Sequence, residues 1–237
     1  MLFPTPLLAG RLVQRYKRFL ADVTLDNGET VTATCPNTGS MMGLVAPGNR
    51  VWLSTSDSPT RKYKHTWEMV ETDLGKGPSL VGINTNHPNK LVAEAIEAGR
   101  IAPLRGYASL KREVKYGKNS RIDILLEDAV KPACYVEIKN VHMMRRHGLA
   151  EFPDSVTERG VKHLAEMSEM VRNGKRAVMV YLVQRQDASR LTFARDVDAS
   201  YGEAFDAAIA AGVEAIAVKC SLSTEAIEVD RLIPIKS

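Results

Sequence analysis

Cysteine is scarce in this chain. Three of its 237 residues are cysteine (Cys35, Cys134 and Cys220), and none forms a CxxC pair. That argues against a disulfide framework and a zinc knuckle, and suits a reducing compartment, with the cytoplasm as the expected location. No apolar run approaches the roughly 18 residues a membrane span requires. The opening MLFPTPLLAG has two prolines and no cation ahead of its apolar stretch, so it does not read as a signal peptide. Glycine-rich phosphate loops of the GxxxxGK or GxGxxG kind are absent, which argues against a nucleotide or sugar-phosphate fold built on them. Ser120 and Thr157 have no histidine at telling spacing, so no nucleophilic triad is expected. Excess charge is small, +4 from 32 basic and 28 acidic residues.

What is present is ordinary globular composition, 44% hydrophobic and 25% charged, enough to bury a core. The cations are clustered: Arg11, Arg15, Lys17 and Arg18; Arg61, Lys62 and Lys64; Lys111, Arg112, Lys115, Lys118 and Arg121; Arg145 and Arg146. Such patches suit a polyanion, though each taken singly also reads as solvated surface.

Through about residue 84 the chain reads as some five short strands punctuated by turns. Segment 11–25 leads into Asp26-Asn27-Gly28, a hairpin signal, then ETVTATC, RVWLSTS, HTWEMVET and SLVGINT. That pattern suggests an OB-like β-barrel over 1–84. From Asn89 the pattern changes. Leu91, Ala95 and Ile96 share a helical face ended by Gly99. Segment 107–116 is helix or strand, and 121–127 and 134–142 are strands. A helix over 155–173 starts at a capping box, Ser155-x-x-Glu158. Strand 175–184, helix 198–211 and strand 213–220 complete a mixed α/β domain over 85–237.

RIDILLE (121–127) and CYVEIKN (134–140) carry the chemistry. Alternation puts Ile122, Ile124 and Leu126 on one face and Asp123, Leu125 and Glu127 on the other, while Glu137 and Lys139 share a face. A short connection allows antiparallel pairing, which sets Asp123 beside Glu137 and Lys139. Glu113, ten residues earlier, adds a further carboxylate. Oxygen ligands of this kind suit Mg²⁺, or Mn²⁺, at a phosphodiester. Alternating charges on a half-exposed strand also read as a solvated face. Arg159 and Lys162 lie at the start of the helix over 155–173, where cations are unfavourable unless an anion sits nearby.

Asp123 followed by Glu137-x-Lys139 resembles the PD-(D/E)xK nuclease signature. Over nearly its whole length the chain resembles the SfsA (sugar fermentation stimulation protein) family, through RYKRFLADV (15–23), CPNTGSM (35–41), STSDSPTRKYKHTWE (54–68), EVKYGKNSRIDILL (113–126), YVEIKNV (135–141) and FPDSVTERGVKHL (152–164). The resemblance implies an OB-like N-terminal barrel, a restriction-endonuclease-like C-terminal domain, and DNA binding without marked sequence preference. It also implies a link by name to sugar (maltose) metabolism that no residue here explains. By position Glu113, Asp123, Glu137 and Lys139 match the catalytic site, with Asp123, Glu137 and Glu113 as metal ligands. Arg159 and Lys162 match the family's helix motif. One departure is 142–151 (HMMRRHGLAE), basic where a more acidic connection is expected.

Two readings compete: a Mg²⁺-dependent nuclease, and a DNA-binding regulator that does not cleave. Both place DNA against Arg15, Lys17, Arg18, Arg61, Lys62, Lys64, Arg159 and Lys162. Pro36–Ser40 reads as a turn or as a loop facing nucleic acid. Trp52, Tyr63 and Trp67 read as core or as base-stacking platforms. His142, His147 and His163 are expected at the surface or against phosphate.

Overall fold

Tight turns divide the stretch from Leu8 to Gly82 into six strands: β1 (Leu8–Tyr16), β2 (Leu20–Leu25), β3 (Thr30–Thr34), β4 (Arg50–Thr55), β5 (His65–Asp73) and β6 (Pro78–Gly82). The computed structural model describes residues 1–116 and 120–236, so Lys118 lies outside the described residues. The strands pair in the order β3-β2-β1-β4-β5-β6, and a parallel contact of β3 with β5 closes the first five into an OB-like barrel. Its interior is filled by Leu12, Val23, Val51, Leu53, Trp67 and neighbours. Trp67 is wholly buried, with its indole N–H donated to the Met69 carbonyl at 2.9 Å. It is therefore core and no platform for bases, and Trp52 packs half-buried against the second domain's core.

Segment 11–25 is not one strand. It folds back at Lys17 and Arg18, which both adopt left-handed backbone, φ 50° and 64°. Two successive positive φ values suit a tight hairpin turn, usually marked by Asn-Gly, and this pair lacks that mark. The expected Asn27-Gly28 turn joins β2 to β3, with Gly28 at φ 89°.

The remainder comprises α1 (Pro88–Glu97), β7 (Ser109–Tyr116), β8 (Ser120–Glu127), β9 (Cys134–Val141), β10 (Met143–Arg146), β11 (Leu149–Phe152), α2 (Glu158–Arg172), β12 (Arg176–Val183), β13 (Arg190–Phe193), α3 (Ala199–Ala210), β14 (Glu214–Leu222), β15 (Ile227–Ile233) and β16 (Ile235–Lys236). A mixed sheet runs β15-β14-β12-β9-β8-β7, parallel across β9, β12 and β14 and antiparallel at both flanks. Leu91 and Val92 of α1 cover one face together with Met69 of the barrel, and Leu164 of α2 and Phe205 of α3 cover the other. A small sheet, β10-β11-β13-β16, lies beyond. Among the described residues no helix is long and apolar enough to cross a membrane.

Segment 107–116 resolves as strand, and the basic segment 142–151 as the β10–β11 hairpin. Met143 and Met144 are buried there, and Arg145 is neutralised by Glu151 at 2.7 Å and Asp196 at 2.5 Å. Helix α2 starts two residues later than the Ser155 box implies. Thr157 is its N-cap, accepting from the Gly160 N–H at 3.1 Å and donating its own N–H to Asp198 at 2.8 Å. The delay has a cause in Asp154, which is tied to the barrel loop: Ser40 Oγ donates to its carbonyl at 2.7 Å and the Met41 N–H to its carboxylate at 3.1 Å. His142 Nε2 lies 3.3 Å from the same carboxylate. Burial raises the Asp154 pKa, but His142, Met41 and Ser40 outweigh it and hold the group at about 2. Gly39 is required at this contact, because a Cβ there would lie 2.9 Å from the Asp154 carboxylate.

The barrel is also joined to the mixed sheet through the Gly82 N–H, donated to the Gln184 carbonyl at 2.9 Å. Beside it Arg185 is 1% exposed, doubly bonded to Asp187 at 2.9 and 2.8 Å and donating to the His142 carbonyl and Thr72 hydroxyl. Removing one partner of a buried pair strands the other charge. Asp187→Ala is expected to lose about 3–5 kcal/mol in urea denaturation, whereas Arg185→Met/Asp187→Leu loses much less. Equal losses would show that the pair is not what the seam depends on.

Candidate active site

The β8–β9 ladder stops early. Leu126, Leu125 and Ile124 pair with Cys134, Tyr135 and Val136, and the strands then part. Continued by one residue, this register sets Asp123 opposite Glu137. The parting frees the Ile138 N–H, and Asp123 Oδ2 accepts it at 2.7 Å. On the other side of β8, Arg112 faces Ile124 and Val114 faces Ile122, with the Glu113–Asp123 pair between them missing. Glu113 sits in left-handed backbone at φ 55°, a conformation that costs a residue with a Cβ about 1–3 kcal/mol. The break also ends the simple alternation expected for β8. Ile124 and Leu126 pack toward α1, while Ile122 joins Leu125 on the α2 side.

Asn89, in the first turn of α1, bridges the two carboxylates. Its amide donates to Glu113 Oε1 and to Asp123 Oδ1, both at 2.8 Å, using the two hydrogens an amide nitrogen carries. Asp123 is pushed up to about 6, by burial first and then by the charge of Glu137, against the pull of Ile138, Asn89 and Lys139.

Glu137 is 2% exposed. Lys139 Nζ donates to its Oε1 at 2.8 Å, and His163 Nδ1 lies against the same oxygen. Burial raises the Glu137 pKa, but His163 and Lys139 outweigh it and keep the carboxyl below its ordinary value. Its other oxygen, Oε2, is buried with no hydrogen-bond partner, and so are the Tyr116 hydroxyl and Glu166 Oε2. Burial, then Glu137, Glu166 and Asp123 in turn, drive the Tyr116 phenol upward. Ser120 donates to Glu166 Oε1 at 2.9 Å.

The structure thus gathers Glu113, Asp123, Glu137 and Lys139 mid-strand, where β8 parts from its neighbours, in linked pairs. Among the described residues no three His, Cys, Asp or Glu form a ready-made metal cage. The expected cations are differently placed. Arg15 Nη2 donates to the carbonyls of Arg18, Asn37 and Gly39 at 2.8–2.9 Å, and Arg18 Nε to that of Thr38 at 2.8 Å. These two guanidinium groups hold the Pro36–Ser40 loop in shape. Arg61 donates to Thr34 and Thr66, and Lys64 to the Ser58 carbonyl. Lys17 and Lys62 are exposed, the latter over the Tyr63 ring at 5.4 Å. Lys162 is exposed 3.7 Å from Glu166, and Arg159 donates to His163.

The expectation of surface histidines holds for His147 alone, since His142 and His163 are 5% and 4% exposed. The buried face of α2 is Gly160, His163, Leu164, Met167 and Ser168. His163 therefore sits on the apolar stripe, a position from which burial and a specific partner were readable. Asn89 left no comparable signal.

Residues 13–83 match the family described as SfsA N-terminal OB domain, and residues 86–226 the family described as sugar fermentation stimulation protein RE domain. Proteins called sugar fermentation stimulation protein homolog from Brucella ovis and Brucella melitensis are 57% identical over 236 residues, covering 100% of this chain and 98% of theirs. The structure of Pyrococcus furiosus SfsA in complex with Ca²⁺ superposes with a TM-score of 0.87 at 26% identity, covering 100% of this chain and 98% of that one. In both halves, and over its full length, the chain belongs to the sugar fermentation stimulation protein (SfsA) family.

Proposed function

We propose that this protein is a cytoplasmic, divalent-cation-dependent phosphodiesterase acting on DNA, largely without sequence preference. One observation carries the reading: half-buried Asp123 and buried Glu137 occupy the next positions of a β-ladder that breaks off before them, and Glu137 keeps an unpartnered oxygen. An unpaired, buried carboxylate oxygen is costly, and a cation is the partner that removes the cost. The donor set fits a hard cation, with Asp123 and Glu137 as ligands and Glu113, bridged through Asn89, beside them. The relative from Pyrococcus, solved in complex with Ca²⁺, is in keeping with oxygen ligation.

When bound, the cation supplies neutralisation of charge developing on a phosphodiester and acidification of a water. Lys139, held by Glu137 at 2.8 Å, sets an ammonium at the same face to orient that water or steady the phosphate. The exposed amines of Lys17, Lys62 and Lys162 supply backbone contacts that steer a polyanion without reading bases. The absence of a glycine-rich phosphate loop weighs against direct action on a sugar phosphate. A protein that only held DNA would gain nothing from buried acids beside phosphates, which is why the non-cleaving reading ranks second.

The raised Asp123 gives the cation effect a sign. Burial and Glu137 push its carboxyl up to about 6 in the folded protein from an ordinary 3.8, so the destabilisation it causes builds as pH rises from 3.8 to about 6 and is complete above that, while a carboxyl still protonated near pH 5 is poorly able to hold a cation. Mn²⁺ is therefore expected to raise Tm clearly at pH 7.5 and little at pH 5. Asp123→Asn, whose amide does not ionise, is expected to remove the pH-dependent loss of stability that builds between pH 3.8 and about 6 and to abolish the Mn²⁺ shift. Equal shifts at the two pH values would remove the carboxylates from cation binding. Plasmid incubated with Mg²⁺ or Mn²⁺ is expected to be nicked, and Glu137→Ala or Lys139→Ala to lower the rate at least about 100-fold. If native protein and variants act alike, catalysis does not reside here. DNA affinity is expected to fall with salt on a log–log plot, and Lys162→Ala to reduce the slope by about one. A slope indifferent to this change would place the DNA elsewhere.

A further inference from the structure

We infer that Arg159 and His163 are positioning residues for Glu137: the guanidinium fixes which imidazole nitrogen carries the proton, and the imidazole in turn pins one carboxylate oxygen so that the other stays open. The inference rests on the reading that this carboxylate face holds a divalent cation.

Arg159 and His163 are four residues apart on α2 and so share a face. The helix is anchored just before them by Thr157, which caps Gly160 and donates to Asp198. Arg159 Nε stands 3.3 Å from His163 Nε2 with its N–H directed at that nitrogen. A guanidinium only donates and does not lose its proton in proteins. His163 Nε2 must therefore offer a lone pair, and the proton of the neutral ring is on Nδ1.

Nδ1 is the atom that lies against Glu137 Oε1, so the ring donates there. Lys139 Nζ is also 3.3 Å from Nδ1, but with Nδ1 carrying a hydrogen this contact is not a bond. The ammonium donates to Glu137 Oε1 at 2.8 Å instead. The opposite tautomer fails twice. It would turn a ring N–H against the Arg159 N–H, and a ring lone pair against the carboxylate.

Oε1 thus receives two donors and Oε2 receives none, although the residue is 2% exposed. The arrangement is that of an outer residue orienting a ligand, whose loss typically lowers metal affinity 10–100-fold. It gives Arg159 a role besides contact with DNA and explains why a histidine interrupts the apolar stripe of α2.

Asparagine places an amide N–H where Nδ1–H stands, and leucine does not. Calorimetric titration with Mn²⁺, with Tm measured alongside, is expected to show His163→Leu binding about 10–100-fold more weakly than native protein and His163→Asn within about threefold. The imidazole ¹⁵N spectrum of cation-free native protein is expected to show the Nδ1–H tautomer, and that of Arg159→Met a mixture of tautomers. Mn²⁺ binding that is alike in native, Leu and Asn proteins overturns the relay while leaving the cation reading intact, and so does an Nε2–H ring in native protein. Native protein that binds no Mn²⁺ overturns the cation reading itself, and the spectrum then still decides whether Arg159 sets the tautomer.

Discussion

Two carboxylates that cannot both be ionised cheaply share the gap where two strands of a sheet part, and the surrounding structure is organised around that conflict. Asp123 takes the N–H that β8 would otherwise have bonded, and Glu137 takes an amine and an imidazole. Even so the acids are not fully satisfied. Asp123 holds its proton up to about pH 6 and Glu137 keeps a bare oxygen. Structural ion pairs are seldom left in this condition, because buried polar atoms find partners in almost every other setting. The residual imbalance is what separates this cluster from an ordinary charged strand face.

The barrel is part of the same construction. Arg15 and Arg18 grip the carbonyls of the loop after β3, that loop grips Asp154, and Asp154 determines where α2 can begin. Since α2 carries His163 against Glu137, these contacts and the chain from Asp154 into α2 connect the barrel to the carboxylates. Loop residues on both sides of the seam, distant in sequence, thus serve one end: a helix placed to within a hydrogen bond. Within the loop the buried Asn37 side chain accepts the Gly39 N–H at 2.9 Å, closing a local turn.

Much of this was legible in the residues. The Asp123, Glu137 and Lys139 placement followed from period-two alternation and a short connection, and the structure keeps those three together. The barrel followed from turn chemistry. Other features were not written locally. The Lys17–Arg18 turn has no glycine or asparagine to announce it, because tertiary bonds to the 36–40 loop hold its left-handed backbone. Ser155 looked like a helix cap, yet the neighbouring Asp154 was already engaged by a loop 114 positions away in sequence. Arg15, Arg18 and Arg159 read as contacts to DNA, since nothing in the spacing of cations says which of them turns to a carbonyl or a ring of its own chain.

The kink at Glu113 has an effect outside the chemistry. Strand β7 is the rim of its sheet, with Lys111, Arg112 and Lys115 displayed along it. A straight, apolar rim is a template onto which another chain can add itself, and proteins guard against this with cations and irregular backbone. Here one left-handed residue that turns an acid toward Asn89 also breaks the row of free amides and carbonyls into two short pieces. The same distortion that serves the carboxylate cluster helps keep neighbouring molecules from zipping together.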